Sequence, residues 1–180
     1  METRITTPRE GSRAQPWTAG RPIPAPLRLH ETVVPPEWAD YNGHMSESCY
    51  LLVVGDGADA FFRFFGVDED YRAAGRSLFT AETHLRHLRE SRDGDRLQLT
   101  LQVLGVDAKR LHIVHEMLDE AGQVVATAEQ LLLHVDTRAS RVAPFPDQIF
   151  ERLEEIRAAH AALGVPDYVG RAITIGGNRG

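Results

Sequence analysis

The sequence predicts an α+β domain in which a mainly antiparallel sheet curls around one long helix. Three patterns in the 180-residue chain carry this expectation. Apolar residues keep a helical period over 46–65, four alternating segments follow with no helix between them, and a turn-rich stretch precedes the helix.

Each element has its own signal. LRLHETVV (27–34) alternates and stops at Pro35-Pro36, as a strand does. In the helix, Tyr50, Val54, Ala58, Phe61 and Phe65 hold the period, while Leu51, Val53 and Phe62 widen the apolar surface. Only a narrow polar stripe remains, at Asp56, Asp59 and Arg63, so the helix must be wrapped by other elements. Gly66 supplies the stop. The expected strands are 77–89, 95–106, 110–118 and 124–136, punctuated by Asp93-Gly94, Asp107-Ala108 and Ala121-Gly122. A second amphipathic helix fits 147–163, with Asp147 as its cap. Residues 1–26 hold five prolines and no apolar period, and read as a flexible arm. The working domain is 27–163, and 164–180 is a Gly-rich tail.

Composition narrows the function classes. A 42% hydrophobic, 26% charged chain is ordinary globular material. The lone Cys49 allows no internal disulfide, and no run is long enough to span a bilayer. A net charge of −6 argues against nucleic acid as a partner. The expectation is a cytoplasmic protein without a membrane partner.

The chemistry concentrates in WADYNGHM (38–45), between the first strand and the long helix. A helix N-terminus offers unpaired amides and a partial positive charge. Gly43 permits close approach, amides from about His44 to Glu47 can polarise a carbonyl, and Asp40 sits just before them. That pairing suits acyl transfer. The alternative is a plain turn in which Asp40 bonds its own backbone. In the following strand, Thr80, Glu82, His84 and Arg86 are expected on one polar face, where Glu82 could assist Asp40 or face a cationic acyl group. Trp38 and Tyr41 could hold a cation by their rings, and Tyr50 and Phe79 could lie near. Lys109 and Arg110, at a strand turn, are candidates for phosphate contacts. The HxxH pairs His84/His87 and His112/His115 cannot converge on one ion from a strand, so no metal and no cofactor are expected.

The motif P-x-W-x-D-Y-N-G-H-M (36–45) resembles the hot-dog thioesterases of the 4-hydroxybenzoyl-CoA thioesterase-like superfamily. The likeness continues through E-T-H-L-R-H-L (82–88), K-R-L-H (109–112), A-T-A-E-Q-L-L-L-H-V-D (126–136) and P-D-Y-V-G-R (166–171), and is nearest to the betainyl-CoA and carnitinyl-CoA thioesterases. One departure is Ser46, where an Asn is expected after Met45. The resemblance implies a hot-dog fold, Asp40 as catalytic carboxylate, an acyl-CoA substrate, and subunits paired as a dimer or tetramer. The candidate catalytic set is then Asp40, Asn42, His44 and Glu82. The candidate substrate-binding set is Trp38, Tyr41, Gly43, Met45, Thr80, Lys109 and Arg110. A hot-dog enoyl-CoA hydratase or dehydratase using His44 and Glu47, and a non-catalytic acyl-CoA-binding protein, are the alternatives.

Overall fold

A computed structural model describes residues 16–175. Strand β1 spans Leu27–Val33 and runs through a 3-10 turn, Pro36–Trp38, into helix α1, Glu47–Phe65. Then come α2 (Glu69–Ala73), β2 (Arg76–His87), β3 (Arg96–Val106), β4 (Arg110–Leu118), β5 (Val124–Asp136), β6 (Arg141–Val142) and α3 (Asp147–His160). Helix α2 and strand β6 were not expected, being too short to show a period. Asp147 is the first residue of α3 and caps nothing; Pro146 occupies the cap position. The last three residues of the expected helix, Ala161–Leu163, tighten into a 3-10 turn.

All strand pairs are antiparallel, in the order β1-β3-β4-β5-β2, with β6 on the far end of β5. The chain therefore carries β2 to one edge of the sheet and returns β3 to the side of β1. Leu97, Leu99, Leu101 and Val103 of β3 face α1, as do Leu111, Ile113, His115 and Met117 of β4. Phe61 and Phe65 of α1 are fully buried against them. A Cβ on Gly57 would lie 2.3 Å from Leu99 Cδ2, so this glycine lets the helix sit down on the sheet. The polar stripe of α1 is not solvated. Asp56 and Asp59 are buried, and Asp59 pairs with Arg63 at 2.6 Å and with Arg72 at 3.6 Å.

The alternation of β2 is broken by a bulge. Thr80 lies opposite Leu132, whereas Glu82 lies opposite Leu131, leaving Ala81 as the extra residue. Partners across an antiparallel pair share a face. Arg76, Leu78 and Thr80 therefore face the helix side, and after the bulge Thr83, Leu85 and His87 do. The single polar face expected for Thr80, Glu82, His84 and Arg86 is corrected: Thr80 belongs to the other side.

Both ends of the chain dock where they are described. The Trp17 amide donates to the Phe64 carbonyl at 2.9 Å, and its ring meets Phe64 edge-on at 5.7 Å. His160 joins the arm to the sheet: Val103 N–H donates to its Nδ1 at 2.9 Å, so its Nε2–H donates to the Pro24 carbonyl at 3.0 Å. Residues 16–26, expected as part of a flexible arm, touch the domain at these points, and residues 1–15 lie outside the described residues. The tail crosses the sheet's outer face, where Tyr168 donates to Glu116 at 3.0 Å and the Gly170 amide to Glu129 at 2.8 Å. No described helix is long and apolar enough to cross a membrane.

Candidate active site

The segment before α1 folds into a tight turn because Asp40 satisfies it from within. The Asn42 amide donates to Asp40 Oδ1 at 2.7 Å, with the His44 amide at 3.4 Å, and the Gly43 amide donates to the Asp40 carbonyl at 3.0 Å. Gly43 takes φ 75°, the left-handed region this turn requires. Asp40 Oδ2 accepts no hydrogen bond among the described residues. One oxygen of the carboxylate is therefore structural and the other is free for chemistry.

The donors at the helix start are fewer than the sequence suggests. The Met45 amide donates to the Ser91 carbonyl at 2.7 Å and the Ser46 amide to the Trp38 carbonyl at 2.8 Å. With His44 turned to Asp40, only the Glu47 and Ser48 amides remain unpaired among the described residues. These two begin the helix and point out of its N-terminus.

Asp40, His44, Met45, Glu47 and Tyr50 line a depression of about 810 Å³ on the helix side of the sheet. Its far wall is the segment that follows β2. Tyr50 holds that wall: its hydroxyl accepts from the Ser91 amide at 3.1 Å, and its ring meets His87 edge-on at 4.8 Å. Five carboxylates, Asp40, Glu47, Glu90, Asp95 and Asp119, surround the space, against the guanidiniums of Arg89 on its wall and Arg92 beside His44. Arg92 donates to His44 Nε2 at 3.0 Å, and Glu90 lies 3.6 Å from the same nitrogen. A depression with this excess of negative charge attracts a cation and repels phosphates.

The other candidates distribute unevenly. Trp38 and Met45 are buried in the core cluster with Val34, Tyr50 and Val53, so Trp38 packs and offers no open ring face, and Met45 reaches the depression only at its floor. Tyr41 is 97% exposed, and Asn42 and Gly43 are exposed on the turn. Glu82 is not beside Asp40. It lines a second depression of about 580 Å³ on the outer face, with His84, His112, Glu129 and Leu131 and the tail residues from Gly170 to Ile173. Phe79 shares that outer side, opposite Leu133. Lys109 and Arg110 lie at the far end of β4, nine residues or roughly 30 Å from Asp119. Arg110 is tied to Asp107 at 2.6 Å. The HxxH pairs do split between faces: His115 is buried under α1, while His112 meets Glu129 at 2.8 Å on the outer side. Missed by sequence reasoning were His87, Arg89, Glu90, Arg92, Asp95 and Asp119. For Arg89 to Asp95 the one signal was the Asp/Arg density of 89–95, which reads as a solvated loop until β1 is known to pair with β3; His87 and Asp119 carried none.

A single helix held in a curled antiparallel sheet, with a carboxylate and free amides at the helix start, defines a hot-dog protein. The model of the thioesterase-like superfamily matches residues 34–153, and the chain belongs to that superfamily. It is 47% identical over 149 residues to a betainyl-CoA thioesterase of Pseudomonas aeruginosa, covering 82% of this chain and 94% of that protein. It is 43% identical over 177 residues to an L-carnitine dehydrogenase/betainyl-CoA thioesterase of Agrobacterium fabrum, covering 89% of this chain. The chain spans only 36% of that relative's length. Among solved structures, a Staphylococcus aureus protein in complex with CoA superposes with a TM-score of 0.79 at 25% identity, covering 86% of this chain and 99% of the other.

Proposed function

We propose that the chain is an acyl-CoA thioesterase whose acyl group carries a quaternary ammonium, as in betainyl-CoA. The observation that carries the reading is the five-carboxylate depression that has both Asp40 and the free amides of α1 on its wall. The thioester carbonyl oxygen accepts from the Glu47 and Ser48 amides, which stabilise the negative charge that develops on it. Asp40 acts through its free Oδ2, either attacking the carbonyl carbon or taking a proton from the water that does. The C–S bond breaks and CoA leaves as the thiol, its proton coming from the attacking water or from solvent. Where Asp40 attacks, the acyl group is left on Asp40 as an anhydride that water then hydrolyses to release the acid and restore the carboxylate. The cationic head of the acyl group lies among Glu47, Glu90, Asp95 and Asp119.

The active unit is a dimer paired through β2. This twelve-residue strand is the longer of the sheet's two edge strands, an arrangement that invites pairing. Antiparallel self-pairing suits its bulge. With the two-fold axis near Ala81–Glu82, helix-side residues before the bulge oppose helix-side residues after it, so Leu78 meets the Leu85 position of a second copy and Thr80 the Thr83 position. The exposed Phe79 would be covered.

Thiol release from betainyl-CoA by the wild type and by Asp40→Asn tests the reading. Turnover lost in the variant is expected. Equal turnover removes Asp40 from the chemistry, hydration of an enoyl-CoA without thiol release points to a hydratase, and binding without turnover points to a sensor. Sedimentation at working concentration is expected to give at least a dimer, and a monomer would contradict the pairing.

A further inference from the structure

The Asp40 depression leaves the anionic part of CoA without an anchor. Its five carboxylates outnumber the two guanidiniums beside it, Arg89 on the wall and Arg92 on His44, and so repel phosphates. A cluster in which cations prevail sits elsewhere. Arg76 of β2 and Arg141 of β6 flank Asp136 of β5 in register across three strands. Both are exposed, and neither has a carboxylate within ion-pair distance among the described residues. Arg138 joins them in the turn between β5 and β6, where its guanidinium donates to the Ala73 carbonyl at 3.3 Å. The corner thus holds three guanidiniums to one carboxylate. By register, Arg76, Asp136 and Arg141 stand on the helix side of the sheet, the side of the Asp40 depression.

Within one chain this corner is out of reach. Arg76 and His87 are the two ends of β2, about 35–40 Å apart along the strand. A two-fold axis that pairs β2 with its copy must stand perpendicular to the sheet, so both helix sides face the same way. It also sets the Arg76 end of one strand beside the His87 end of the other. We propose that the Arg76–Arg138–Arg141 corner binds the phosphates of the CoA whose acyl end lies in the partner subunit's Asp40 depression. This rests on the β2-paired dimer proposed above. Each site then has an acidic half for the acyl cation and a basic half, from the other subunit, for the nucleotide. Neither subunit is complete alone.

The test uses Arg76→Gln/Arg141→Gln in the full chain, with betainyl-CoA and betainyl-pantetheine, which lacks the phosphates. The ratio of kcat/KM for the CoA thioester to that for the pantetheine thioester should fall about tenfold or more, the size expected of lost charge-assisted hydrogen bonds. Mixing this variant with Asp40→Asn should restore the wild-type KM for betainyl-CoA, because one site of each mixed dimer pairs an intact Asp40 with an intact corner. An unchanged ratio overturns the proposal. A fallen ratio that mixing does not restore overturns the placement in trans. Calorimetry with free CoA needs no turnover, and its Kd should rise by a similar factor even if the acyl group has been misread. Sedimentation of the same samples separates a failed corner from a failed dimer: a dimeric variant with unchanged CoA binding refutes the corner, and a monomeric wild type refutes the dimer on which it rests.

Discussion

Two depressions lie on opposite faces of one sheet, and each holds a carboxylate that the sequence offers for catalysis. On the helix side, Asp40 keeps one oxygen free beside the unpaired Glu47 and Ser48 amides. On the outer side, Glu82 sits near His84 and the His112–Glu129 pair under the tail, with no helix N-terminus among its lining residues. The two carboxylates differ little in chemistry. What separates them is the set of electrophilic donors nearby, and that set depends on where the chain enters α1.

After the loss expected of Asp40→Asn, the largest effect should come from removing one of those donors. Glu47→Pro deletes the free amide at the first helical position, where proline is tolerated. Ser46 already has φ −59° and ψ 143°, which a following proline accepts. Turnover should fall about a hundredfold, the usual size for a lost oxyanion donor, with little change in Tm. Glu47→Ala, which keeps the amide, should lose much less.

Acid should weaken the packing under α1. Burial pushes His115 down to about 4, against the opposing pull of the Thr100 carbonyl and the Gln130 side chain. A buried histidine with a lowered pKa favours folding above the unfolded value of 6.5, and that stability is lost as pH falls below it. By pH 5, His115 alone should cost about 2 kcal/mol. Burial lowers His30, His134 and His160 as well, so they steepen the loss. Denaturant titrations at pH 7.5 and 5 should show a shallower loss for His115→Gln than for the wild type.

Smaller effects belong to the outer face. Tyr168→Phe removes the bond to Glu116 and should lower stability by about 1 kcal/mol in the same titrations. Glu82→Gln should change kcat/KM less than about twofold, since Glu82 borders neither Asp40 nor the amides. A hundredfold loss in Glu82→Gln would reverse the contrast between the faces.

The strong periods were readable from the sequence. The bounds of β4 and β5 match their expected ranges, and α1 begins one residue late, because alternation and the 3.6-residue period are properties of single segments. The Asp40 turn was readable for the same reason, its cap and glycine being neighbours in sequence. What escaped was non-local. One extra residue at Ala81 reverses the facing of Thr80 relative to Glu82, and no residue type announces it. The acidic wall from Glu90 to Asp95 is held at the site by long-range bonds, the Met45 amide to the Ser91 carbonyl at 2.7 Å and the Val34 amide to the Asp95 carbonyl at 2.9 Å, between segments far apart in sequence. Trp38 resembled a ligand-facing ring in a turn, but it is buried because the turn folds back onto Val53 and Met117.

The central claim is that negative charge on the helix side selects a cationic acyl group. Betainyl-CoA and 3,3-dimethylbutyryl-CoA have the same shape and differ in whether nitrogen or carbon bears the three methyl groups. Side-by-side thiol-release rates should give a kcat/KM for betainyl-CoA about tenfold or more above that of its neutral twin, the discrimination expected from partly solvated carboxylates. Equal values would contradict the account.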